Sequence, residues 1–336
     1  MKKIKINWTS EKILILLIVL LCAVISCINP TFFTIGNFCD MVRSSTVNGL
    51  YAVGVMLVLI SGGIDISFPS IAAFSMYSTV KIMLAMKYTG SFLLPLAMSA
   101  VFGLVLGSVN AFLIYKFKIP TLIATLGTAN LFNGILLTFL GSAQINTLPK
   151  GYSRFAKTLL LKVSSEYGIS SIPVAFLVWV AAALIVWYIL RYTMLGRGVY
   201  ALGGNRVSAE RTGMNLGMVH LFIYGAAGAI AGMAGTINTA LKRTCNPFDA
   251  IGIELTIIAA VVLGGVKITG GKGSMMGTVL GVIMFNIINN SLIMIGVSTY
   301  WQRAVIGMLI LVSTSITALQ DKRSAAKLLE RGGKEA

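Results

Sequence analysis

An all-α, polytopic transmembrane bundle of about ten spans is the fold this sequence predicts, and three observations predict it. Of its 336 residues, 57% are hydrophobic and 11% charged, with a mean hydropathy of +0.88; soluble domains carry about 25% charged residues. The apolar residues fall into successive runs near the roughly 20 residues a helix needs to cross a bilayer. Glycine is plentiful, at 35 residues, which suits helices that approach closely inside a membrane bundle. In lipid every backbone polar group must be satisfied internally, so such runs imply helices. Residues 1–336 read as a single transmembrane domain.

The first run, 13–28, follows Lys2, Lys3, Lys5 and Lys12, as the apolar core of a signal peptide would. No small-x-small cleavage site closes it and more spans follow, so it reads as a retained helix. The next spans are 43–60, 69–86, 92–115 and 121–140. The 141–171 loop, with Lys150, Arg154, Lys157 and Lys162, reads as the main external segment, carrying a short surface helix. Spans continue at 172–190, 217–237, 253–263, 275–295 and 302–320, before a cytoplasmic tail, 321–336. The 253–263 run is too short to cross alone. It must borrow flanking residues or form a broken, tilted or re-entrant helix against a protein-lined cavity.

The stretch RYTMLGRGVYALGGNRVSAERTGM, 191–214, is polar, glycine-rich and basic. It interrupts a chain otherwise suited to lipid, so it reads as a cytoplasmic loop that docks on a partner. The net charge of +17 comes from basic residues scattered through short interhelical segments, without a nucleic-acid-binding pattern. With the N-terminus inside and ten spans, inner segments hold 17 of the 27 basic residues, which favours both termini in the cytoplasm of an inner-membrane protein. Such cations also anchor the protein against anionic lipid.

Two glycine-rich turns separate spans. SGGIDIS at 61–67 includes Gly62, Gly63 and Asp65. LGGVKITGGKG at 263–273 includes Gly264, Gly265, Gly270 and Gly271. Adjacent glycines permit tight turns and close backbone approach, so these seven residues are candidates for hinging or gating. Both turns share Gly-Gly, an aliphatic residue, a charge, Ile, then Ser or Thr, which hints at an internal duplication. The second is not a phosphate-binding loop. Val266 stands where GxxxxGK[ST] needs its first glycine, and Gly273 follows Lys272. Any ATP chemistry, with its Mg, belongs to another subunit, and this chain carries no cofactor or metal.

Ionisable groups near the membrane usually face a cavity or a partner. Asp65 is placed to accept backbone N–H bonds and fix its turn. Glu254 suits the N-terminus of its helix or braces the preceding loop. Asp249 is placed to brace the 241–252 loop through Lys242 or Arg243. For a neutral, hydroxyl-rich solute the candidate path residues are Asn48, Asn110, Thr125, Asn130, Asn133, Asn286 and Asn290, with Thr128, Asn238 and Asn289. Amides facing a cavity would bind hydroxyls; amides facing helices would hold the bundle together. His220 reads as a cap at the inner end of the 217–237 span. Cys22, Cys27, Cys39 and Cys245 read as small packing residues. No Ser-His-Asp or paired-carboxylate arrangement points to an enzyme.

Six motifs together resemble the permease subunit of bacterial ABC importers for ribose and related sugars, over about 30–320. They are NPTFFTIGNF (29–38), SGGIDIS (61–67), VNAFLIYKFKIPTLIATLGT (109–128), LGRGVYALGGNRVSAERTGMN (195–215), IELTIIAAVVLGGVKITGGKGSMMGTVLG (253–281) and NNSLIMIGVSTYWQ (289–302). The resemblance implies a second permease copy or a similar permease, cytoplasmic ATPase subunits, and a periplasmic or lipid-anchored sugar-binding protein. It places an ATPase-coupling segment on 197–215, with Arg197, Tyr200, Gly203, Gly204, Asn205, Ala209 and Gly213 on the family's recurring positions and Glu210 beside them.

The chain departs from that pattern at Phe68-Pro69-Ser70, Glu210-Arg211-Thr212 and Val266-Lys267-Ile268. These departures leave the solute open between a monosaccharide, autoinducer-2, a nucleoside and a polyol, and they allow two different permeases to share the path. An ion-coupled secondary transporter would need an intramembrane acid, for which Asp65 and Glu254 are the candidates. A purely structural scaffold would not need the glycine-rich turns.

Overall fold

The computed structural model describes residues 10–165 and 168–298, then Trp301, Ala304, Val305, Gly307, Met308, Leu311 and Ser315. The 321–336 tail and most of the 302–320 span lie outside the described residues, as do Lys2, Lys3 and Lys5.

The described chain is helical apart from one hairpin. α1 is Ser10–Ile28, and a short 3-10 turn at Pro30–Phe33 leads into α2, Ile35–Ile60. α3 is Phe68–Ala85, α4 is Leu93–Phe117, and α5 is Thr121–Ile135, continued by a π turn at Leu136–Leu140. α6 is Lys150–Lys157. Strands β1 (Leu159–Ser165) and β2 (Gly168–Pro173) follow it. Then come α7 (Ala175–Tyr192), α8 (Met194–Gly204), α9 (Arg206–Arg211), α10 (Leu216–Lys242), α11 (Glu254–Leu263) and α12 (Met275–Met294).

Seven of the described helices are long and apolar enough to cross a membrane: α2, α3, α4, α5 with its π turn, α7, α10 and α12. α1 contributes a shorter apolar stretch, Leu14–Ile28, and α11 has only 10 residues. At 1.5 Å per residue α11 spans about 15 Å, half a bilayer core, so it is too short to cross alone, as its composition predicts.

α2 is the central helix. Every residue from Gly49 to Ile60 is buried, whereas α4, α5 and α7 present rows of apolar side chains outward, as lipid-facing helices do. α10 runs antiparallel along α4 with the most extensive packing of any helix pair. The backbones nearly touch there: a Cβ on Gly228 would sit 2.2 Å from the Gly103 carbonyl oxygen. α12 runs antiparallel to α2, and Val305 packs with Leu14, Met284 and Ile288 between α1 and α12.

The connections sort to two ends. The 61–67, 118–120, 193–215 and 264–274 segments lie together with the start of α1, where Ser274 Oγ donates to Glu11 Oε1 across 2.6 Å. The 141–174 and 243–253 segments lie at the other end, joined by the paired backbones of Ile145 and Cys245. The start of the described chain and the 197–215 segment therefore share a side.

The 141–171 loop holds more structure than its expected surface helix. α6 is docked rather than loose: Tyr152 is buried, and Phe92 stacks on Phe155 at 4.0 Å. β1 and β2 then pair antiparallel, Leu161 opposite Ile172, and rest on α2. Pro173 ends β2, so α7 begins at Ala175 and not at 172. His220 does not cap α10. Orphan N–H groups at a helix start need an acceptor. Asn215 supplies it to the Met218 N–H at 3.1 Å, while His220 Nδ1 turns back to the Leu216 carbonyl at 2.7 Å.

Candidate functional site

Three glycine-bearing segments meet at one point. α2 and α11 end in the same turn. In each, an N–H two residues beyond the helix bonds three residues back, Gly62 to Leu59 (2.9 Å) and Gly265 to Val262 (2.8 Å), and the next N–H bonds five back. Gly62 (φ +80°) and Gly265 (φ +87°) are the left-handed residues. The shared GG motif is therefore used in two registers: its first glycine takes the left-handed place in one turn, its second in the other. The second turn then folds over the first, and the Gly271 N–H donates to the Ile60 carbonyl across 2.8 Å. Gly203, near the end of α8, fills the remaining space. A Cβ there would lie 2.0 Å from the Ile60 carbonyl oxygen and 2.5 Å from the Gly271 nitrogen. Tyr200 Oη adds a hydrogen bond to the Gly273 carbonyl at 2.9 Å, and burial raises its pKa above the ordinary phenol value.

The rest of α8–α9 divides into a seated face and a free one. Thr193 caps α8 and Asn205 caps α9, its side chain accepting from the Ser208 N–H at 3.0 Å. Val199, Leu202 and Ala209 are buried. Arg197, Gly204, Val207, Glu210 and Arg211 are exposed, with Arg206 and Glu210 forming an i,i+4 pair at 3.5 Å. Gly213, at φ +77°, turns the chain towards α10. Apart from Gly213 in the turn that follows, the residues predicted for 197–215 thus fall on one two-helix platform, and the sequence-predicted hinges at Gly62, Gly270 and Gly271 lie directly on it. Gly264 is separate: it packs on Gly277 of α12.

Beneath the junction, the 61–67 turn is buried and held by side chains. Asp65 Oδ1 accepts from the Ser67 N–H (2.7 Å) and Oγ (2.6 Å), anchoring the start of α3. Asn110 Nδ2 donates to Ser67 Oγ at 2.7 Å, and Thr128 Oγ1 donates to Asn110 Oδ1 at 2.6 Å. Thr121 and Thr125 accept from the Ile64 and Ile66 N–H groups. Burial raises the Asp65 pKa, against the pull of hydrogen bonds from Ser67 and Phe68. Gly63 closes the turn against the Tyr224 hydroxyl. Sequence reasoning missed Ser67 and Thr121. Their signals were local: Asp-x-Ser before a proline-bearing helix start, and threonine opening the helix after Pro120.

The candidate path residues do not line one channel. Asn110 and Thr125 belong to the turn just described. Asn133 donates to Ser70 Oγ of α3 at 2.9 Å, and Asn130 faces outward, bonded to its own Leu126 carbonyl. Asn48 donates to Asn286 Oδ1 and Asn286 to Ser45 Oγ, each at 3.0 Å, and Asn290 donates to Asn37. These amides join α2 to α12. Glu254 Oε1 accepts from the Gly252 N–H at 3.4 Å and Asp249 pairs with Lys242 at 3.1 Å, so both brace the 243–253 loop.

Two cavities bear on a solute. A groove of about 880 Å³ between α2, α7 and α12 is walled by Phe38, Trp179, Trp187, Met276 and Ile283. It offers hydroxyls almost nothing to bind. A smaller cleft of about 330 Å³ opens near the end opposite the junction, between α2, α10 and the 249–253 segment, and is lined by polar groups including Arg43, Asn48, Asn238 and Asp249.

A profile of the family described as branched-chain amino acid transport system / permease component matches residues 37–314. The chain is 32% identical to the ribose import permease protein RbsC of Haemophilus influenzae, over 88% of this chain and 89% of that one. It is 33% identical to the Bacillus subtilis ribose import permease protein, over 91% of each. It is 30% identical to the D-allose transport system permease protein AlsC of Escherichia coli, again over 91% of each. No solved structure matches.

Proposed function

Because the chain belongs to the permease family of bacterial ABC sugar importers, we propose that it carries a monosaccharide, a ribose-like pentose or a hexose, across the inner membrane. ATP hydrolysed on a separate subunit drives the step. The chain itself is a multi-pass, non-catalytic membrane subunit, and residues 1–336 form its single transmembrane domain. The sugar class is supported by relatives whose names specify ribose, allose and galactose. The partners are a second permease, cytoplasmic ATPase subunits and an external sugar-binding protein. The N- and C-termini and the α8–α9 platform lie in the cytoplasm.

The observation that carries this reading is the contact of Gly203 with both Ile60 and Gly271. A platform gripped by an ATPase would push through Gly203 on the end of α2 and on the turn that begins α12. Packed backbones are bistable rather than deformable, so a small shift there changes which end of the bundle is open. Arg197, Glu210 and Arg211 on the exposed face meet the ATPase, while Gly62, Gly270 and Gly271 let the turns move past one another. The Asp65 carboxylate, which an ion-coupled carrier would need free, is engaged in anchoring α3.

The test is reconstitution of the permease with its ATPase and binding protein in liposomes. Radiolabelled D-ribose, D-allose and D-galactose are offered alongside autoinducer-2, a nucleoside and a polyol. MgATP-dependent uptake of a monosaccharide is expected. Uptake confined to a non-sugar, or indifferent to MgATP, counts against the proposal.

A further inference from the structure

The polar cleft carries an assignment of its own. Arg43, Ser44, Asn48 and Tyr51 line it from α2, Asn238 and Lys242 from α10, and Asp249 from the loop that follows. It mixes donors and acceptors, and its clear ion pair, Lys242 with Asp249, is internally compensated. Arg43 is partly engaged through Nη2 with the Leu241 carbonyl at 3.3 Å. Asn48 connects the cleft to Asn286 at the α2–α12 interface, so the site adjoins a helix pair rooted in the glycine junction.

Tyr51 supplies the second observation. It is 3% exposed, its hydroxyl is buried, and that hydroxyl has no hydrogen-bond partner. A buried polar group left unpaired costs about 1–3 kcal/mol, and native structures hold few of them. Phenylalanine would fill the same space without that cost. The other buried side chains in this condition include Ser75, Thr79 and Trp179, and none of them lines this cleft. A hydroxyl held in readiness at a polar cleft is explained by a ligand that completes it.

We propose that this cleft is the solute-receiving subsite of the permease. It takes a neutral, polyhydroxylated small molecule, whose hydroxyls pair with Tyr51 Oη, the amides of Asn48 and Asn238, and the Asp249 carboxylate. Vicinal hydroxyls match such groups because each can donate and accept at once. A site built to hydrogen-bond a hydroxyl also discriminates against the analogue that lacks it. The assignment rests on the sugar-import reading above and names where in the chain that selectivity resides.

The experiment compares the full reconstituted complex carrying Tyr51→Phe or Asn238→Ala with wild type, at saturating loaded binding protein. The probes are D-ribose and 2-deoxy-D-ribose, or the transported sugar and its deoxy analogue. Thr79→Val, which removes a buried unpartnered hydroxyl away from the cleft, is the control. Each cleft variant is expected to lower maximal ribose uptake roughly tenfold, the equivalent of one hydrogen bond, and to narrow the ribose-to-deoxyribose ratio. The control is expected to change neither. Unchanged uptake in both cleft variants overturns the subsite while leaving sugar import standing. So does an equal fall for both sugars. Preference of the wild type for a sugar acid overturns the neutral class, and a wild type that moves no sugar overturns both readings.

Discussion

The Gly271 N–H donates to the Ile60 carbonyl across 2.8 Å, and so ties the turn that begins α12 to the last residue of α2. A helix C-terminus leaves carbonyls without intrahelical partners. Here one of them is satisfied by a segment more than 200 residues away, and Gly203 of α8 rests on both. Three loops that are unrelated along the chain thereby become one mechanical unit.

Adjacent glycines in α8 should behave oppositely. A Cβ at Gly203 would lie 2.0 Å from a carbonyl oxygen, whereas one at Gly204 meets nothing within 4 Å. Gly203→Ala should cost about 1–3 kcal/mol of packing and reduce ATP-driven uptake at least roughly tenfold. Gly204→Ala should leave uptake within about twofold, since alanine suits a helix better than glycine. Equal effects of the two substitutions on uptake would remove the junction's special status.

Asp65 gives a pH signature with a definite sign. Its pKa is raised in the folded protein, so the stability it contributes is fully present below the ordinary carboxylate value. That stability is lost as pH rises through the folded value. Asp65→Asn keeps an acceptor oxygen for Ser67 but has no proton to lose. Its melting temperature in detergent should gain on wild type as pH is raised from about 4 to about 7. A difference that stays flat, or shrinks, contradicts the assignment. Asp65→Ala, which leaves the Ser67 N–H unanswered, should destabilise by about 1–3 kcal/mol near pH 4, and by less as pH rises.

Asn110 reads as a structural residue in this geometry. It donates to Ser67 and accepts from Thr128 inside a fully buried cluster. Asn110→Ala should therefore lower thermal stability by about 1–3 kcal/mol, and Thr128→Val should cost less when added to it than alone. Additive losses in the double variant would show that the two side chains act independently.

Much of this was legible in the sequence because lipid imposes a simple rule. Among the described residues, apolar runs long enough to cross became helices, and the 10-residue α11 kept the shortness its composition announced. Asp65, Asp249 and Glu254 were readable as braces because a carboxylate beside a turn has few other uses. The hairpin at 159–173 was not read. Leu159–Leu161 lies in what reads as an external connection with one short helix, and what makes it a strand is pairing with β2 and support from α2. The meeting of Ile60, Gly203 and Gly271 could not be read at all, since no local pattern records which distant loops touch. Nor could the cleft around Tyr51, whose hydroxyl matters for the partner it lacks. The charge bias behind the orientation rests largely on Lys2, Lys3, Lys5 and the basic tail, which lie outside the described residues.

The central claim is that α8–α9 is the surface an ATPase grips. Val207 is 56% exposed on α9, and Phe139 is 79% exposed at the far end of α5. A photo-crosslinking amino acid placed at Val207 in the reconstituted complex should give an adduct with the ATPase subunit, and the same group at Phe139 should not. An adduct between position 207 and the external binding protein, or none with the ATPase while uptake persists, would contradict the account.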